Sequence, residues 1–137
     1  MKKRGQASVE YLILVGVMLA FLIPLFYYSL TEISNNLRIS QAENTVNLVA
    51  GKIDNVYTLG AGNREKLKVT IPKGVVSFDI IENKTVELKF FVFGNQTEIF
   101  KTTKASNIEG ELPQKPGAYF LLVEGLESGD VKVYVKE

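Results

Sequence analysis

The chain has 137 residues, 23% of them charged, and a formal net charge of +1. Histidine and cysteine are both absent, which excludes disulfides, thiol nucleophiles, zinc sites of the usual ligand types and imidazole acid–base catalysis. So small a charge leaves no basic excess to attract nucleic acid, and the length suits one membrane segment plus one small domain.

The chain opens with Lys2-Lys3-Arg4-Gly5-Gln6-Ala7-Ser8-Val9-Glu10-Tyr11, and residues 11–31 are 21 positions without a charge. A bilayer core needs roughly 20 helical residues. The cations would hold the N-terminus in the cytoplasm and send everything beyond Thr31 outside. An ordinary secretory signal carries its small-residue cleavage site after the apolar stretch. Here Leu25-Phe26-Tyr27-Tyr28-Ser29-Leu30-Thr31-Glu32 offers no such pair, whereas Gly5, Ala7 and Ser8 precede the stretch. A cut there removes the cations and keeps the hydrophobic segment. Loss of residues 1–5 takes the formal charge from +1 to −2, with 13 basic against 15 acidic residues left.

The run K-K-R-G-Q-A-S-V-E-Y-L-I-L closely resembles the class III signal peptide of archaeal type IV pilins. The resemblance covers about the first 30 residues; the remainder matches only in general plan. Bacterial pilins usually have phenylalanine after the glycine and archaellins a different glycine-rich start, so Gln6 favours the archaeal pilins. The resemblance implies that a prepilin peptidase cuts between Gly5 and Gln6, and that Glu10, five residues into the mature chain, serves assembly. It further implies a structural subunit of an adhesive filament, made as a membrane precursor and polymerised with copies of itself. An assembly ATPase and a membrane platform protein would be its other partners. No cofactor, metal or enzymatic activity is expected.

The competing reading of this segment is a single-pass anchor in which Gly5 has no role. Glu10 separates the two. A carboxylate at the bilayer midplane costs roughly 2.5–3.5 kcal/mol, and less near an interface, so a plain anchor gains nothing from it. In a helical polymer the carboxylate can meet the new α-amino group of a neighbouring Gln6, and breaking such a buried pair costs about 3–5 kcal/mol. A cyclised Gln6 would leave Glu10 hydrogen-bond partners only.

Beyond Thr31 the chain becomes polar but keeps a helical beat. Leu30, Ile33, Leu37, Val46, Val49, Ile53 and Val56 are read as one face, with Ser34, Asn35, Asn36, Arg38, Ser40, Gln41, Asn44 and Asn47 opposite. One pilin helix is therefore expected over residues 6–58, its apolar part at 11–31 and its second half docking on a domain. Pro24 removes a backbone hydrogen bond and should kink the helix. It is either a tolerated transmembrane proline or a bend that helps subunits leave the membrane. Gly16 is read as a close-packing point.

Leu59-Gly60-Ala61-Gly62-Asn63-Arg64 breaks the helix, and residues 59–65 form the expected linker. The G-x-G follows a helix rather than a strand, so it is a helix stop and not a dinucleotide loop. From residue 66 the period changes to two. Seven strands are expected, at 66–71, 75–81, 85–93, 96–103, 108–112, 118–124 and 131–136. The fold class is thus α+β, a long helix followed by a small antiparallel β-sandwich-like domain over residues 66–137. A truncated chain starting near Gly60 should accordingly be soluble and β-rich.

Lys89-Phe90-Phe91-Val92-Phe93 is apolar on both faces and reads as a central strand buried on both sides, with a subunit contact as the alternative. Tyr119 and Phe120 are expected to pack the sandwich. Asn83-Lys84-Thr85 and Asn95-Gln96-Thr97 are N-glycosylation sequons at expected turns of an exported domain. Two rivals to the filament subunit remain. One is a minor pilin-like surface protein that binds a ligand or sugar, the other a simple membrane-anchored β-domain. A carboxylate-pair glycosidase is the remote enzymatic alternative.

Overall fold

Between Lys2 and Leu59 the sequence has a single proline and no turn cluster, and it forms one α-helix, α1 (Lys2–Leu59), of 58 residues. The structure is a computed structural model that describes residues 2–136, with side chains described from Arg4 onward. Met1 of the expected leader, Glu137, and the side chains of Lys2 and Lys3 lie outside the described residues. Helical conformation thus starts at Lys2 rather than at the expected Gln6. The chain divides into two units, Met1–Asn36 and Leu37–Glu137.

In the second unit, α1 ends where the Gly60 N–H donates to the Val56 carbonyl at 3.0 Å with Gly60 at φ 91°. Glycine enters this left-handed region without the Cβ penalty other residues meet. The Asn63 side chain donates to the carbonyls of Leu59 and Gly60 at 3.0 and 3.1 Å, covering acceptors the helix leaves unpaired.

Seven strands follow: β1 (Arg64–Ile71), β2 (Val75–Ile81), β3 (Thr85–Val92), β4 (Asn95–Thr102), β5 (Ile108–Gly110), β6 (Gly117–Gly125) and β7 (Val131–Val135). They form a four-stranded sheet in the order β1-β6-β7-β5 and a three-stranded sheet in the order β2-β3-β4. The fold is α+β, a long helix followed by two sheets. One pairing corrects the expected antiparallel arrangement: β5 runs parallel to β7, with Ile108 opposite Val131. The contact requires Gly110, at φ 114°, because a Cβ there would collide with the Val133 carbonyl. Strand β5 also ends at Gly110, two residues short of expectation.

The core lies where the alternation of each strand meets one stripe of α1. Leu67, Val69 and Ile71 of β1, Leu121 and Val123 of β6, Val131 and Val133 of β7, and Phe78, Val86, Leu88 and Phe90 of the smaller sheet are buried. Ala42, Val46, Val49, Ala50, Ile53 and Val56 of α1 complete the same cluster. Thr45 donates its hydroxyl to the Thr70 carbonyl at 2.7 Å, Lys52 meets Glu65 at 2.7 Å, and Asp54 accepts the Lys104 N–H at 2.6 Å. These polar ties fix α1 against β1 and the segment after β4.

Leu37 does not join this stripe but is exposed, as are Leu30 and Ile33 in the first unit. The reason is angular. Leu37 and Val46 are nine residues apart, about half a turn round at 3.6 residues per turn. Steps of three and four share a face only when they alternate; three steps of three drift to the opposite side.

Candidate functional site: the N-terminal helix and the surfaces of the C-terminal domain

The first unit is helix throughout its described residues, and its apolar side chains have no partner within it. Val9, Tyr11, Leu12, Ile13, Leu14, Val17, Met18 and Leu19 are all exposed. None of its most apolar 18-residue window is buried, and the mean hydropathy there is 2.4. This is a helix long and apolar enough to cross a membrane. A surface so apolar needs lipid or other protein to cover it.

Gly5 lies within this helix, and a Cβ added there would meet nothing within 4 Å. Gln6 and Glu10 are both exposed, and their four-residue separation puts them on one side of the helix. Each is free to face a second chain. The helix continues on both sides of Pro24, so the proline does not end it. The Ala20 carbonyl loses its usual donor, since proline has no N–H. Seven residues on from Pro24, the Thr31 hydroxyl donates to the Tyr27 carbonyl at 3.0 Å, a bond associated with local helix bending. Gly16 also meets nothing within 4 Å, leaving it open to close approach from outside.

In the second unit, both sequon asparagines are exposed. Asn83 sits at φ 56° in the β2–β3 turn, a conformation asparagine tolerates, and its carbonyl accepts the Ile108 N–H at 2.7 Å. Asn95 opens β4. Strand β3 is central, as expected, but its second face is buried only at Glu87. Phe90 and Val92 point inward, whereas Phe91 and Phe93 are 48% and 57% exposed. No second layer covers the outer face of the three-stranded sheet. Tyr119 packs against the core, but Phe120 is exposed and lies under the Lys66 ammonium at 4.4 Å.

A cleft of about 740 Å³ is lined by Asp79, Asn83, Asn107, Glu109, Glu111 and Gln114 among others. Its chemistry is partly spent. The Gln114 amide accepts from the Phe78 N–H at 3.1 Å and donates to the Phe78 carbonyl at 2.6 Å, standing in for a neighbouring strand on β2. Among the described residues no group of three acidic side chains is placed to hold a metal ion.

Several features were invisible to periodicity. The Gln114 brace needs a side chain to imitate a peptide group across 36 positions. The Phe93-Gly94 turn was invisible too, because the expected strand runs through Phe93, and only the structure puts Phe93 where a two-residue hairpin prefers Asn-Gly. No protein-family model, curated protein or solved structure matches the chain.

Proposed function

We propose that the chain is a structural subunit of an archaeal type IV pilus. It is inserted as a precursor with its N-terminus in the cytoplasm, cut after Gly5 by a prepilin peptidase, and polymerised through its N-terminal helix. An assembly ATPase and a membrane platform protein drive polymerisation, and the finished filament lies outside the cell with glycans at Asn83 and Asn95. The observation that carries this reading is the order of the first 31 residues: cations, Gly5-Gln6, Glu10, then an uncharged apolar run. Two structural facts support it. None of that run's most apolar window is buried among the described residues, and Gln6 and Glu10 are both exposed. Helix packing in a filament core would cover the surface that lipid covers in the precursor.

The intact mass of the mature protein, with negative-stain microscopy of purified surface fibres, tests the reading. The expected N-terminus is Gln6 or its cyclised form, in fibres whose major protein is this chain. In the Gly5→Val variant, a branched side chain at the scissile bond should leave the leader in place. A wild-type mass that retains residues 1–5, or fibres that lack the chain, would overturn the proposal.

A further inference from the structure

The β3–β4 turn breaks a folding preference at an exposed position. Phe93 sits at φ 51° and Gly94 at φ 75°, and both central residues of a type I′ turn need positive φ. Asn-Gly meets that requirement with little strain. A bulky phenylalanine in the left-handed region is an outlier, and such strain persists where surrounding structure or function holds it. Nothing within the domain explains it, because the Phe93 ring is mostly exposed. Phe91 lies on the outer face beside it. Val76, also exposed, occupies the bulge between Val75 and Ser77 where β2 meets β3. The end of this hairpin is therefore an apolar knob.

The knob and a cleft of mixed lining, in which Thr58 and Asp130 stand beside the apolar residues, lie at opposite ends of the docked part of α1. At the knob end, the Phe91 N–H donates to the Gly74 carbonyl at 2.9 Å, and a Cβ on Gly74 would lie 3.9 Å from the Arg38 guanidinium. At the other end, Val56, Tyr57, Gly60, Ala61, Leu126 and Gly129 line a cleft of about 440 Å³. From Arg38 to Tyr57 the helix rises about 29 Å at 1.5 Å per residue. The charges at the two ends are opposite. Arg38 and Lys73 flank the knob, and Glu127 and Asp130 flank the cleft; none of the four forms an ion pair among the described residues.

We infer that the Phe93 knob of one copy seats in the Tyr57–Leu126 cleft of a second copy, a head-to-tail contact between outer domains. Knob and cleft are different surfaces, so the contact is heterologous and propagates along a filament instead of closing a dimer. The charge pairing sets its polarity. Asn95 pairs across the ladder with the inward-facing Val92, so a glycan there leaves the Phe91 face uncovered. The inference rests on the filament reading for its biological setting, but the contact is testable apart from it.

The chain has no cysteine, so introduced thiols can be linked with a short bis-maleimide in intact cells making the full-length protein. Asn95→Cys combined with Ser128→Cys, both at exposed positions beside the knob and the cleft, leaves Phe93 and the four charges in place and should give a ladder of dimers, trimers and longer species, while each single variant stays monomeric. Phe93→Asn, which gives the turn its favoured Asn-Gly, should lower fibre number at least tenfold while processed subunit accumulates in the membrane. A monomeric double variant in cells whose wild-type chain forms fibres overturns the contact and leaves the filament reading intact. Monomers throughout, with no wild-type fibres, overturn both. Dimers of the single Asn95→Cys variant overturn the heterologous pairing in favour of a symmetric one. Normal Phe93→Asn fibres that fail only to bind surfaces make the knob an adhesive tip and overturn the contact.

Discussion

Two residues in this chain are more costly where they stand than alternatives would be, and both costs point outward. Glu10 places a carboxylate at the head of a membrane-length apolar segment, and it forms no ion pair among the described residues. Replacing Glu10 with alanine should improve membrane insertion and leave cleavage intact, since the bond after Gly5 is untouched. Assembly should suffer, because losing one member of a buried pair costs about 3–5 kcal/mol. Processed protein should accumulate in membranes while fibres become scarce, a result that microscopy and membrane fractionation read together. Normal pilus number and length in Glu10→Ala would refute the assembly role and leave the cleavage argument standing. Phe93 is the second case. Relieving its left-handed strain with Phe93→Asn should raise the stability of the C-terminal domain by about 1–2 kcal/mol. The thermal midpoint of that domain would move up by roughly 4–8 °C per kcal/mol; a fall would show that the Phe93 ring contributes to the fold it stands on.

At the scale of elements, legibility followed burial. Strands β1 and β7 announce themselves through alternation, as Leu67, Val69 and Ile71 do between Lys66, Lys68 and Thr70, and β6 through a continuous apolar run from Ala118 to Val123. The direction of β5 was not legible, because three residues carry no signal for what they pair with. Nor was the mostly one-sided burial of β3. Phe91 and Phe93 are apolar but outward-facing, and periodicity cannot distinguish a buried second face from a sticky one. Edge strands show how sheets of this size avoid pairing with strangers. Strand β4 carries Glu98 and Lys101, while β2 is covered at Phe78 by the Gln114 amide. Gln114→Ala should leave the Phe78 N–H and carbonyl without their partner and cost about 1–3 kcal/mol. It should also promote association through the freed β2 edge. A denaturant midpoint that does not move, with the protein still monomeric, would show that water or a shifted loop substitutes for the amide without loss.

At the scale of the whole molecule, the helix has two jobs divided along its length. The apolar order of residues 11–31 and the Gly5-Gln6-Glu10 spacing were legible because they depend on local sequence alone. The extent to which the C-terminal domain depends on α1 was not, because that depends on which stripe faces the sheets. The misplacement of Leu37 on the Val46 stripe obscured it. With Ala42, Val46, Val49, Ala50, Ile53 and Val56 all fully buried, the helix completes the core of Leu37–Glu137. The expectation that a chain starting near Gly60 folds alone therefore needs correcting. Such a truncation would expose the inner faces of Leu67, Val69, Leu121 and Val123 to water. Loss of one large buried aliphatic side chain costs roughly 2–5 kcal/mol, so losing Val46, Val49, Ile53 and Val56 together is comparable with the roughly 5–15 kcal/mol that holds a typical domain. A truncated chain starting at Leu37, which keeps the buried stripe and drops the apolar segment, should be soluble, monomeric and cooperative in thermal unfolding, with a mixed helix and strand circular dichroism spectrum. The chain starting at Gly60 should aggregate or remain unfolded. If the Gly60 chain instead folds cooperatively with a β-rich spectrum, the sheets close their core without α1, and the helix is only docked on a domain that stands by itself.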